Sequence, residues 1–95
     1  MDDIVEFLLK ESEETIQASK LLYDNGFYGD AINRVYYAMI YVAKALLAKK
    51  GSYPKTHKGT INLFGKEFVN SGEIRKETFK LLTKSQDNRN KADYY

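Results

Sequence analysis

Three stop signals, Asn25-Gly26, Gly51 and Ser71-Gly72, cut this chain into four stretches whose apolar residues recur at helical spacing. No stretch alternates with period two over a useful length, and short links between long helices favour antiparallel neighbours. The reading is therefore all-α: an antiparallel four-helix up-and-down bundle, or a five-helix one if the 95 residues are a fragment. Residues 1–95 read as one domain, because a chain of this size holds a single modest core. Such a core invites help from a partner subunit, so a dimer-forming bundle is expected.

The first helix is expected from about Asp3 to the stop at Asn25-Gly26, with Val5, Leu8, Ile16, Ser19 and Leu22 on one face and glutamates on the wet face. The second runs from about Gly29 to Lys50, and Pro54 shapes the loop that follows, Gly51 to Thr56. The third spans about His57 to Asn70 and aligns Ile61, Phe64 and Phe68. The fourth starts near Glu73 and runs through Ile74, Thr78, Leu81 and Leu82.

Charge narrows the choice of partners. The net charge is only +2, but residues 1–51 carry 6 basic and 8 acidic groups while residues 52–95 carry 9 and 5. Lys44, Lys49, Lys50, Lys55 and Lys58 fall in one acid-free stretch, which is either a solvated surface or a place for a phosphate backbone. With no cysteine, disulfides and thiolate metal sites are excluded. The acidic start Met1-Asp2-Asp3 is unlike a secretory signal, and the longest uncharged apolar run, Val35 to Ala43, is far shorter than the roughly 20 residues a membrane span needs. A cytoplasmic protein without a membrane segment is expected. No serine–histidine–acid cluster, phosphate-cradling glycine loop or His/Glu metal pair is present, so neither a metal nor a cofactor is expected.

Helix two carries a polar stripe. At about 100° per residue, with Arg34 at zero, Asp30 falls near −40°, Tyr37 near −60°, Tyr41 near −20° and Lys44 near −80°. The opposite sector holds Ile32, Tyr36, Met39, Ala43, Leu46 and Leu47, the expected core. Asp30 precedes Arg34 by one turn, which suits an ion pair. Tyrosines beside an arginine offer flat surfaces with polar tips, suited to a subunit interface or to stacking a base. On helix four, Arg89 falls on the side of Ile74, Leu81 and Leu82; it is placed to pair with Asp93 or Asp30, or to reach into a groove.

The runs Ala31-Ile32-Asn33-Arg34-Val35-Tyr36-Tyr37-Ala38-Met39 with Ala45-Leu46-Leu47, Thr56-His57-Lys58-Gly59 with Phe64, and Arg89-Asn90-Lys91-Ala92-Asp93-Tyr94 resemble a HEPN domain of the small stand-alone prokaryotic kind. The resemblance covers about residues 3 to 95. It implies an antiparallel helical bundle that dimerises and is often encoded beside a minimal nucleotidyltransferase; family members commonly continue into a further helix. Many members are metal-independent ribonucleases, some of them toxins, with a motif of Arg, four to six residues, then His. Arg89-Asn90 matches its start, but Tyr94 and Tyr95 stand where the histidine belongs.

Two functions compete. The first is a non-catalytic homodimeric module, contacting a nucleotide, RNA or a nucleotidyltransferase partner through Asp30, Arg34, Tyr37, Tyr41, Lys44, Arg89 and Asn90. The second is a ribonuclease in which Arg89 stabilises phosphate charge and His57, the only histidine, is a displaced base. Without a group of near-neutral pKa, general acid–base catalysis forfeits about 10² to 10⁴ in rate, and tyrosine, with a pKa of about 10, replaces it poorly. His57 also reads as an ordinary helix-terminal or packing histidine. A purely structural dimer is the third option.

Overall fold

The computed structural model describes residues 3–77, 79–80, 82–84 and 87. It contains α1 (Asp3–Asp24), α2 (Tyr28–Lys49) and α3 (His57–Phe64), with a π-helical turn at Gly65–Val69; helical residues resume at Lys76. No strand occurs among the described residues. Gly26, Gly51 and Gly72 stand at φ +85°, +81° and +82°, a backbone state that costs a residue with a Cβ, so the three expected stops end their segments.

α1 and α2 pack antiparallel along a seam of small residues. Val5, Ser12 and Ser19 recur every seven residues on α1, and Ala45, Ala38 and Ala31 do so on α2; all six are buried. Small side chains let the two backbones approach closely enough for the Ser12 hydroxyl to donate to the Ala38 carbonyl (3.1 Å) and Ser19 to that of Ala31 (3.0 Å). Each such bond contributes about 0.5–1.5 kcal/mol net. The α1 face accordingly differs from the expected one. Ile16 is exposed and Leu8 and Leu22 are half-buried, while Ser12 and Thr15 are inside, because the seam selects for size before hydropathy.

The main core lies on another face of α2, where Tyr36, Ile40, Ala43 and Leu47 meet Ile61 and Phe64 of α3, Phe68 of the π turn, and Leu82. Burying each large member contributes about 1.5–3 kcal/mol. Of the expected α2 core, Tyr36, Ala43 and Leu47 are buried, Met39 and Leu46 are half-buried, and Ile32 is exposed. The reason is reach: the α3 layer covers the Tyr36–Leu47 part of α2 and leaves the turns before it open.

The third helix is α-helical only to Phe64, then widens into the π turn closed by Asn70 N–H donating to the Gly65 carbonyl (3.1 Å). A Cβ on Gly65 would stand 2.9 Å from Cζ of Phe79, so the missing side chain is what lets the fourth segment close on this turn. That segment starts later than expected because the chain first rounds Gly72, with Ile74 N–H donating to the Phe68 carbonyl (2.8 Å).

Candidate functional site

With α1 on one face of α2 and the α3 layer on the other, the expected polar stripe occupies a flank between them. Asp30 and Arg34 are exposed; Tyr37, Tyr41 and Lys44 are half-buried. The anticipated Asp30–Arg34 ion pair is not formed among the described residues, where the ion pair present is Lys50–Glu73. Two solvated side chains gain too little from pairing to hold one geometry.

The structure brings one unanticipated group to this flank. Thr56 caps α3, its hydroxyl accepting from Gly59 N–H at 2.9 Å, and so sets His57 as the first helical residue. From there the imidazole packs edge-on against Tyr36 (centroids 5.7 Å) and Tyr37 (5.3 Å), while the two tyrosine rings lie 5.5 Å apart. The Tyr36 hydroxyl lies 3.3 Å from His57 Nδ1 and donates to it when the ring holds its proton on Nε2. Tyr36 is wholly buried and His57 half-buried, so the histidine is a packed helix-terminal residue that also borders Tyr37.

Asn33, one turn before Tyr36 and Tyr37, adds a feature that the stripe reading missed. Its side-chain carbonyl oxygen is buried and has no hydrogen-bond partner among the described residues. The signal was available, since Asn33 sits at helical spacing from both tyrosines, but an asparagine in a helix gives no sign of its burial.

The lysine-rich stretch divides. Lys50 Nζ sits 2.7 Å from Glu73 Oε2 and 4.2 Å from the centre of the Phe68 ring, and it donates to the Glu67 carbonyl (3.3 Å), so it staples the end of α2 to the π turn. Lys49, Lys55 and Lys58 are exposed and Lys44 is half-buried on the flank. Arg89 and Asn90, the remaining expected site residues, lie outside the described residues. Among the described residues no group of three His, Cys, Asp or Glu side chains is placed to hold a metal ion, and no helix is long and apolar enough to cross a membrane.

Comparison with known proteins matches residues 5–95 to the HEPN domain. A "Putative toxin" of Methanocaldococcus jannaschii is 44% identical over 90 residues, 95% of this chain and 67% of the relative. A second protein of that organism with the same description is 39% identical over 90 residues, 95% of this chain and 61% of its own length. A UPF0332 protein of Pyrococcus horikoshii is 46% identical over 82 residues, 86% of this chain and 58% of the relative. The chain thus spans 58 to 67% of the length of these three relatives. No solved structure matches it.

Proposed function

Because the chain belongs to the HEPN domain family, we propose that it is a homodimeric, non-catalytic module that holds a nucleotide or a segment of RNA on the polar flank of α2. In this reading it is cytoplasmic and works beside a minimal nucleotidyltransferase in a toxin–antitoxin-like pair, in keeping with the "Putative toxin" description of two relatives. The neighbouring reading frame tests the paired role: a small nucleotidyltransferase found there would support it, and none would weaken it.

The observation that carries the binding reading is the meeting of Tyr37 and His57 on the flank that also bears Arg34, Tyr41 and Lys44. Flat rings stack bases for about 1–3 kcal/mol each, and the cations beside them suit a phosphate. The Asn33 oxygen is an acceptor in search of a donor, and a buried one left empty costs about 1–3 kcal/mol. A ligand amino group is a donor that would satisfy it.

Catalysis is the second reading, favoured by the position of His57 at the edge of this flank. Its Nδ1 lies 3.3 Å from the Tyr36 hydroxyl, which ties the ring to the core beside the flank. One imidazole serves as either acid or base at a given moment, whereas strand cleavage needs both. Incubation with single-stranded RNA and with tRNA, without added metal, separates the readings. A slower-migrating, uncut RNA is expected. Cleavage that disappears in both Arg89→Ala and His57→Ala establishes the ribonuclease instead and makes His57 its base.

A further inference from the structure

The link from α2 to α3 doubles back. His57 rests on Tyr36 and Tyr37 in the middle of α2, while Lys50, just past its end, meets Glu67 and Phe68. α3 therefore runs in the same direction as α2 instead of antiparallel to it, and residues 51–56 have to travel back along α2. Their start is fixed. Gly51 N–H donates to the Ala48 carbonyl (3.0 Å) and Ser52 N–H to that of Leu47 (2.9 Å), the pair of bonds that closes a helix on a left-handed glycine. Their end is fixed too, because the Thr56 carbonyl accepts from both the N–H (2.9 Å) and the hydroxyl (2.8 Å) of the fully buried Thr60. From Tyr36 to Leu47 the α2 axis rises about 16 Å, and the five steps from Ser52 to His57 cover at most about 17 Å, so the link is an extended strap. Its residues suit that task. Pro54 fixes its own φ and biases Tyr53 toward extended backbone, and Thr56 stands at φ −112°, ψ 157°.

We propose that this strap is a second wall of the candidate site, with Tyr53 stacking a base and Lys55 meeting a phosphate, so that the site takes a strand of RNA and not a single nucleotide. This rests on the binding reading above and names the form of ligand it fits. The strap passes the levels of Tyr41 and Lys44 and ends at His57, on the edge of the polar flank. Extended backbone sends alternate side chains to opposite sides, and burial follows that alternation: Ser52 and Pro54 are half-buried, whereas Tyr53 (56% exposed) and Lys55 face solvent. Among the described residues, the N–H groups of Tyr53 and Lys55 and the carbonyls of residues 52–55 make no hydrogen bond, so they are open to polar base edges. Tyr53 precedes His57 by four residues, about 13 Å of extended chain, several times the rise of about 3.4 Å per nucleotide in a stacked strand. A mononucleotide seated on Tyr37 and His57 leaves Tyr53 out of reach, and a strand spans both places. With both ends pinned, the wall is ordered before the strand arrives, which lowers the cost of binding.

Anisotropy titration of a labelled single-stranded oligoadenylate, beside calorimetric titration of adenosine monophosphate, tests this. Tyr53→Ala is expected to weaken the oligonucleotide about tenfold, and Tyr53→Phe, which keeps the flat ring, to bind as the wild type does. Lys55→Gln is expected to reduce the salt slope by about one, while Lys10→Gln, an exposed charge on α1, leaves it unchanged. Affinity for the mononucleotide is expected to be the same in the wild type and both strap variants. Tyr53 and Lys55 are exposed, so helical circular dichroism stays the same in every variant. An oligonucleotide that loses affinity in Arg34→Ala but not in Tyr53→Ala or Lys55→Gln overturns the second wall and leaves the flank reading standing. Equal losses in Lys10→Gln and Lys55→Gln, or in Tyr53→Phe and Tyr53→Ala, overturn it as well, as does mononucleotide binding that falls in Tyr53→Ala. A wild type that binds no oligonucleotide sinks the flank reading itself, and this inference with it.

Discussion

Lys50 shows how one residue's neighbours decide its role. In sequence it belongs to a run of lysines open to a phosphate backbone; in the fold it is committed to Glu73, the Glu67 carbonyl and the Phe68 ring. Its hydrogen bond to Glu73, assisted by one from Ser71, holds the Glu73 carboxyl below the ordinary value of 4.5. A carboxyl with a depressed folded pKa stabilises the fold above its unfolded pKa, and that contribution fades as pH falls through the folded value. Melting temperature is therefore expected to fall slightly more steeply below about pH 4.5 in the wild type than in Glu73→Gln. Added salt should erase the difference, since the pair is solvated. At Thr56, replacing the cap by alanine is expected to cost about 1 kcal/mol in denaturant unfolding and to loosen His57 from Tyr36. The second effect is readable as a shift of the His57 ring signals in NMR.

At the scale of elements, two close approaches depend on what is missing from a side chain. Gly65→Ala forces a methyl against the Phe79 ring at the π turn, and an overpacking cost of about 1–3 kcal/mol is expected in equilibrium unfolding, more than the helical gain of about 0.5–1 kcal/mol. Ser12→Leu is expected to lower the unfolding midpoint far more than Gln17→Leu at an exposed site of the same helix, because only the former forces the α1 and α2 backbones apart. The ends of α1 and α2 are legible in the sequence because glycine stops are local chemistry. The burial of Ser12, Ser19 and Ala38 is less so, since hydropathy ranks apolar residues above the small ones that a tight seam needs. Periodicity assigns Ile32 to the core because it identifies a face without saying how far along it the neighbouring layer extends. For the site, rotation alone groups Asp30, Arg34, Tyr37, Tyr41 and Lys44, whereas the arrival of His57 beside Tyr37 depends on a chain reversal about twenty residues later.

For the whole molecule, α2 acts as a partition. α1 closes one side, the α3 layer the opposite side, and the two remaining flanks differ in kind: one is apolar, the other polar, aromatic and cationic. On the function proposed above, the polar flank binds RNA without cutting it. Anisotropy titration of labelled single-stranded RNA against the wild type, Arg34→Ala and Tyr41→Ala, with the RNA then checked for integrity on a gel, tests it most directly. The expected result is intact RNA, binding weakened about tenfold by Arg34→Ala with a salt slope reduced by about one, and weaker binding by Tyr41→Ala from lost stacking. Unchanged affinity in both folded variants, or RNA cut by the wild type, would contradict it.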